Sequence, residues 1–321
     1  MTTDDTRARH ATLAELGLVV IQRDWLSANH VVFPGTHVAP ATVVDTGYGR
    51  HAAMTLALID HALSGEAVQR VINTHLHSDH CGGNSALQHR DPSVQIWVPS
   101  GSYLAAQAWD QSQLSYRPTG QFCEQFRVDG ALCTGDPLIL GHASWQIHCA
   151  PGHDPDALML FEPQTRTLIA GDALWEDRLA IIFPELEGLD GFSAATHTLD
   201  LIETLAPRTV IPGHGSIFHD VETALEASRK RIAAFSKDPS RHVRHAARAL
   251  LMFHIMEIQS SDQVTLLKWL AATPIFIRMA KALGRDAGTA IWASELLESL
   301  LDDGLLGLHQ GALSLSASSS R

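Results

Sequence analysis

The stretch Thr74-His75-Leu76-His77-Ser78-Asp79-His80-Cys81-Gly82-Gly83 packs three imidazoles and a carboxylate into positions 75–80. A neutral imidazole offers a nitrogen lone pair and a carboxylate offers hard oxygens, so the group suits a borderline divalent ion such as zinc, manganese or iron. One tetrahedral ion cannot easily take all four donors from so short a loop. The spacing therefore predicts two neighbouring ions, His75 and His77 facing one, Asp79 and His80 the other. A pair of divalent ions serves attack by water on an electrophilic carbonyl or phosphoryl centre.

Such a site needs more donors, and the later sequence contains them. Ala150-Pro151-Gly152-His153-Asp154 puts a histidine on a glycine-bearing turn after the apolar pattern of Trp145, Ile147 and Cys149. Leu168-Ile169-Ala170-Gly171-Asp172 ends a strand pattern in a carboxylate, and Val210-Ile211-Pro212-Gly213-His214-Gly215 ends another in a histidine. Each has one form: an apolar run, a small residue, then a ligand type. Loops at strand ends are where a rigid scaffold aims side chains at one point.

The elements that must do the aiming follow from periodicity. Val71-Ile72 reads as the end of a buried strand, spanning 68–74, that delivers the histidine-rich loop, and Gly82-Gly83-Asn84 turns the chain into a helix. Upstream, 18–21, 29–33 and 42–44 read as short strands, with Pro34-Gly35 as a turn, and 54–63 as a helix with Met54, Leu58, Ile59 and Leu63 on one face. Downstream, 95–99 is a strand, 131–149 two or three strands, 192–205 a helix and 209–212 a strand. Strand, helix and strand in this order give a layered α/β arrangement.

Two stretches are irregular. In 102–127, Trp109, Tyr116, Phe122 and Phe126 read equally as a pocket wall or as helix packing. The stretch 174–189 follows Asp172 directly, which brings Trp175, Glu176, Asp177 and Phe183 near the chemistry. Glu176 and Asp177 read either as acceptors for imidazole N–H groups or as surface acids. A boundary falls near Ser236-Lys237-Asp238-Pro239-Ser240. Beyond it Val243, Ala247, Leu250, Leu251, His254 and Ile258 keep a helical period, with His254 as a core histidine. Helical stretches around 266–283 and 291–301 follow, then a hairpin over 304–316 around Gln310-Gly311.

The order of these motifs resembles the metallo-β-lactamase superfamily of binuclear metal hydrolases over roughly residues 19–235. The resemblance implies an α/β fold, a four-layer αββα sandwich, with a catalytic domain at 1–235 and a small, mainly helical, winged-helix-like domain at 236–321. It assigns His75, His77 and His153 to the first ion, Asp79, His80 and His214 to the second, and Asp172 to both. Asp45 becomes a structural residue beside the metal loop. The ions implied are two Zn²⁺, with Fe or Mn as alternatives. The implied activity is hydrolysis of a thioester or ester by a metal-bridging hydroxide that Asp79 orients. Glyoxalase II, acyl thioesterases and lactonases are the similar branches, since true β-lactamases lack the bridging aspartate. Two departures argue against the glutathione ester itself: the basic carboxy-terminal residues expected to hold glutathione are not found, and Asp154 stands where a small hydroxyl residue is common. The alternatives are a phosphodiesterase or nuclease, a mononuclear iron persulfide dioxygenase, and a non-catalytic regulatory member of the fold.

Composition narrows the partners. The formal charge of −12 disfavours nonspecific attraction to nucleic acid or anionic membrane, and the resemblance implies a small-molecule (thio)ester or lactone as the partner. The acidic last helix, with Glu295, Glu298, Asp302 and Asp303, favours packing on the catalytic domain or on a second subunit in a homodimer. The polar segment 1–15 carries Asp4 and Asp5 and reads as no secretory signal. No apolar run approaches the ~20 residues of a spanning helix, so the expected location is the cytoplasm. Four cysteines without a Cys-x-x-Cys pair predict neither a disulfide framework nor a zinc knuckle. Cys81 reads as a small buried residue.

Overall fold

Short runs of valine and isoleucine build the first sheet of the computed structural model, which describes residues 13–285 and 288–316; most of the polar segment 1–15 lies outside them. Strands β1 (Val19–Ile21), β2 (His30–Phe33), β3 (Thr42–Val44), β4 (Arg70–Ile72), β5 (Gln95–Pro99) and β6 (Gly130–Leu132) lie side by side in chain order. The first three form an antiparallel meander and β3 to β6 run parallel. Val31, Val44 and Ile72 point to one face, and Val32, Val43 and Val71 to the other, where Ile59 and Leu87 of helices Ala52–Ala62 and Asn84–Arg90 cover them. Burial on both faces explains why these strands read as unbroken apolar runs rather than as alternation.

The second sheet holds β7 (Leu138–Leu140), β8 (Ala143–Cys149), β9 (Leu158–Glu162), β10 (Thr167–Gly171) and β11 (Thr209–Pro212), in the order β11-β10-β9-β8-β7. Only the β10/β11 pair is parallel. Leu140, Trp145, Ile147, Leu160, Ile169 and Ile211 pack against Val31, Phe33, Val44 and Ile72 of the first sheet. The other face, with Met159, Phe161, Leu168 and Val210, is covered by helices Gly191–Leu205 and Val221–Lys237. The result is helix, sheet, sheet and helix, the four-layer sandwich the motifs implied. Parallel pairs place the ends of β4, β10 and β11, and so the residues after them, along one edge of the sandwich.

Several elements differ from expectation. The strand over 68–74 shrinks to Arg70–Ile72 because Thr74 N–H leaves the ladder and donates to Asp45 Oδ1 at 2.9 Å. The stretch 266–283 breaks at Thr273-Pro274 into helices Gln263–Ala272 and Pro274–Ala282, since proline cannot donate into a continuing helix but suits the first turn of a new one. The aromatics of the stretch 102–127 serve packing rather than the wall of the cavity beside the histidine-rich loop, to which the stretch gives only Gln121 among the described residues. Trp109 meets Tyr116 and Phe126 at ring-centroid distances of 5.7 and 5.2 Å, Tyr116 O–H donates to Leu76 O at 2.8 Å, and Phe122 is 69% exposed.

After Asp238 the chain continues as helix Pro239–Ile258, then the two helices above, then helix Thr289–Asp302. The expected hairpin forms as β13 (Leu306–His309) and β14 (Ala312–Leu315), joined by the two-residue β12 (Ser261–Asp262). Leu251, Ile255, Leu266, Phe276, Leu297 and Leu313 give this region its own core, into which Leu186 also packs. The segment 174–189 is thus held at the seam, where Ile182 N–H donates to His242 Nε2 at 3.1 Å and Arg278 pairs with Glu187 at 2.7 Å. Among the described residues no helix is long and apolar enough to cross a membrane.

Candidate metal centre

The histidine-rich loop is fixed from below by groups that are fully paired. Asp45, at φ +57° just after β3, accepts from Thr74 N–H at 2.9 Å, Thr74 O–H at 2.7 Å and His80 Nδ1 at 2.7 Å. That bond leaves His80 Nε2 aimed at the opposite side. Asn84 donates to Asn73 Oδ1 and Thr46 O–H to Asn84 Oδ1, both at 2.7 Å, while Thr46 N–H reaches His80 O at 2.7 Å. A satisfied buried network of this kind rigidifies what it holds. The other loops are pinned in the same manner. His153 Nδ1 donates to Ile181 O at 2.6 Å, and Asn29 clamps the turn carrying His214 by donating to Pro212 O and Gly215 O at 3.0 and 2.8 Å.

The structure brings His75, His77, Asp79, His80, His153, Asp172 and His214 together, each at most 9% exposed. Donor atoms of His75, His77 and His153 lie within 4.8 Å of one another, as do those of Asp79, His80 and His214. His77 Nδ1 is 2.8 Å from His153 Nε2 and 3.1 Å from His75 Nε2, and His214 Nε2 is 3.2 Å from Asp79 Oδ2. Asp172 stands between the triads, with Oδ1 3.3 Å from His80 Nε2 and Oδ2 3.4 Å from His153 Nε2. One carboxylate oxygen therefore addresses each triad.

The electrostatics match cation binding. Burial, then the neighbouring imidazoles, lowers His75 well below the ordinary histidine range, and burial with His153 lowers His77 to about 3, so both rings are neutral donors near pH 7. Burial would raise the Asp172 carboxyl, but His80, His214 and His153 outweigh it and hold it well below the usual range. Burial likewise opposes charge on His80, yet Asp172 and Asp45 together hold that imidazole well above its ordinary value. Buried carboxylates here demand positive charge. His80 Nε2 and His214 Nε2 are buried and, though each faces a carboxylate, neither has the alignment of a hydrogen bond. Unpaired buried nitrogens are uncommon. Converging with two carboxylates and neutral imidazoles, they fit a pair of divalent ions.

The profile of the metallo-beta-lactamase superfamily matches residues 31–214. The chain belongs to that superfamily. Among curated relatives it is similar to human acyl-coenzyme A thioesterase MBLAC2, 24% identical over 55% of this chain and 69% of the relative. It is also similar to hydroxyacylglutathione hydrolase of Thermosynechococcus vestitus, 29% identical over 35% of this chain and 36% of that one. Two solved structures share the fold along nearly the whole chain. A metallo-beta-lactamase family protein from Thermus thermophilus has TM-score 0.55 at 18% identity, covering 93% of this chain and 97% of that one. A beta-lactamase domain protein from Burkholderia ambifaria has TM-score 0.55 at 20% identity, covering 93% and 91%.

Within this superfamily member, other side chains shape the centre. Trp175 N–H donates to Asp172 Oδ1 at 3.1 Å, as its place after Asp172 suggested. Trp25 stacks on His214 with centroids 4.1 Å apart and planes 10° from parallel, a contact no local pattern announced. Asp154 Oδ2 lies 3.7 Å from His77 Nε2, and burial pushes its carboxyl up to about 7. Glu176 and Asp177 are exposed and take the surface role. Cys81 turns away toward Tyr116 O–H, 3.2 Å distant, and His254 stacks on Trp269 at 3.6 Å in the carboxy-terminal region.

A cavity of about 640 Å³ opens over the centre, floored by His77, Asp79, His153 and Asp172 and walled by the 174–189 segment and helix Pro239–Ile258. The fold gathers Arg178, Arg231 and Arg241 on this cavity from three separate segments, Arg231 being the last residue of the basic run Arg229-Lys230-Arg231.

Gly213 shows how little room the centre leaves. A Cβ there would lie 2.1 Å from Asp172 Oδ1 and 2.8 Å from His80 Cε1. Gly213→Ala is expected to displace Asp172 and to lower bound metal severalfold while the far-ultraviolet circular dichroism stays native. Metal analysis of purified wild-type and variant protein checks this; equal metal content would show that the carboxylate can yield.

Proposed function

We propose that the protein is a binuclear metal-dependent hydrolase that cleaves an acyl thioester or ester, with the whole set His75, His77, Asp79, His80, His153, Asp172 and His214 as metal ligands. The observation that carries this reading is the pair of buried triads joined by one carboxylate at the floor of a cavity. Likeness to a curated acyl-coenzyme A thioesterase and a hydroxyacylglutathione hydrolase supports acyl transfer to water over phosphodiester cleavage. Imidazole and carboxylate donors suit Zn²⁺, with Fe or Mn as the alternatives. When bound, such ions supply Lewis acidity and lower the pKa of a shared water toward neutrality.

The chain's own residues do the rest. Asp172 draws the triads to a fixed separation. Asp79, buried and held below the usual carboxylate range by His214 and His80 in spite of its burial, is ionised and aimed into the cavity. It can orient the attacking water and carry its proton to the departing sulfur or oxygen. The flanking Trp25, Trp175 and Phe183 exclude bulk water from the reacting atoms.

We read 1–235 as the catalytic domain and 236–321 as a wall for its substrate cavity. The order helix, short strand, three helices and hairpin supports a winged-helix-like description of the second.

A panel of acyl thioesters, lactones and phosphodiesters, offered to metal-analysed protein, tests the reading. Turnover of thioesters or esters with about two metals per chain is expected. Phosphodiester turnover alone, or inactivity toward every class at full metal loading, would sink it.

A further inference from the structure

The cavity over the centre is basic at one end and apolar at the other, and the change runs along one helix face. Pro239–Ile258 presents Arg241, His245, Ala249, Met252 and Met256 to the cavity. Their near-fourfold spacing puts them in one row, and from Arg241 to Met256 the row is about 22 Å long. At the Arg241 end, helix Val221–Lys237 adds Arg231 and the segment after Asp172 adds Arg178.

The three guanidinium groups have no hydrogen-bond or ion-pair partner among the described residues. Arg90, Arg127, Arg229, Arg248, Arg278 and Arg285, by contrast, each hold a carboxylate. Asp238 acts on Arg241 through space but forms no ion pair with it. The carboxylates that line the cavity, Asp79 and Asp172, belong to the metal centre. His245, one helical turn along from Arg241 on the same cavity, is lowered by burial and by the nearby Arg231, Arg178 and Arg248. In a chain of formal charge −12, such a concentration of unneutralised cations is the complement of an anion.

The opposite end carries Met252, Phe253 and Met256, an adaptable apolar surface. The metal centre lies between the two. Phe183, against His77 and His153 at 4.8 and 5.4 Å, adjoins Ile182, which bonds His242 beside Arg241. Tyr48, whose N–H donates to Ser27 near Trp25, packs on Phe253 at 5.8 Å.

We propose that the substrate is an amphiphilic acyl thioester or ester, its acyl chain lying along Met252, Phe253 and Met256 and its leaving group carrying a phosphate or carboxylate held by Arg178, Arg231 and Arg241. This rests on the hydrolase reading and adds direction to it. Water oxygen bonds to the acyl carbon, the carbon–sulfur bond breaks, and the thiol leaves with one proton of that water at the basic end while the carboxylic acid remains at the apolar end.

Octanoyl thioesters of 2-mercaptoethanol, 3-mercaptopropionate and 4′-phosphopantetheine share one acyl group and differ in leaving-group charge. With metal-loaded, full-length protein, the Arg231→Gln/Arg241→Gln double variant is expected to lose about a hundredfold in kcat/KM on the anionic thioesters, roughly tenfold per charged contact. The neutral thioester should change less than twofold, which also reports that the variant is folded. In wild type, KM for the anionic esters should rise with salt, and whichever of phosphate or carboxylate shows the larger loss names the group. Equal kcat/KM across leaving groups, unaltered by the variant, would overturn this inference and leave the hydrolase standing. Turnover of none of the three would remove both.

Discussion

Asp172→Ala is expected to lower kcat by at least about a thousandfold and to cut bound metal from about two ions per chain to below one. Among the described residues Asp172 is the carboxylate that faces both triads, Oδ1 toward His80 and Oδ2 toward His153. With Asp45 it also raises the His80 imidazole well above its ordinary value, and it receives the Trp175 N–H. Without it the second triad keeps Asp79 as its sole carboxylate, and nothing offsets the mutual repulsion of two neighbouring divalent ions. Asp172→Asn separates shape from charge, since the amide fills the same space and keeps an oxygen toward one triad. It should recover packing and one ion but little activity. Metal analysis with steady-state kinetics on the best acyl thioester decides the matter. A variant that keeps both ions and a kcat within tenfold of wild type would show that Asp172 does not join the sites.

The second large effect is on stability. Chelation is expected to abolish turnover and to lower the melting temperature by roughly 10 °C, with both restored by Zn²⁺. A ligand present at a thousandfold above its Kd contributes about 4 kcal/mol to the folded state, and in a chain of this size each kcal/mol moves the midpoint by roughly 2–4 °C. The structural reason is that the donors come from both sheets: the β4 loop from one, and the turns after β8, β10 and β11 from the other. Ions at that edge would tie the two halves of the sandwich together and neutralise the buried carboxylates that His80, His214 and His153 otherwise offset. Calorimetry of chelated and reconstituted protein checks this. Superimposable transitions would mean that the edge is held by its hydrogen bonds alone, through Asp45, Asn29 and Asn84.

Much of the centre was legible because its chemistry is local. His75, His77, Asp79 and His80 owe their meeting to spacing within one turn of chain, and Asp172 and His214 each follow a glycine at the end of an apolar run, a pattern readable without any contact. The αββα layering was legible for the same reason, since β3, β4, β10 and β11 bury both faces and advertise it as consecutive valine, isoleucine and leucine. What belonged to the tertiary structure alone is whatever depends on residues far apart in the chain meeting across a surface. Trp25 on His214, His242 under the 174–189 segment, and Arg178 beside Arg231 and Arg241 carry no local signature, because an exposed arginine or tryptophan looks the same in sequence whether it faces bulk water or a cavity. The aromatics of 102–127 could not be placed on that ground: their composition permitted either role, and burial of Tyr116 and Phe126 against the first sheet chose packing, while Gln121 alone of the stretch reaches the cavity among the described residues. The sequence alone could name the candidate ligands, since ligation is set by side-chain type and short spacing. Only the fold, by choosing which distant faces close over them, decided what kind of molecule could reach them.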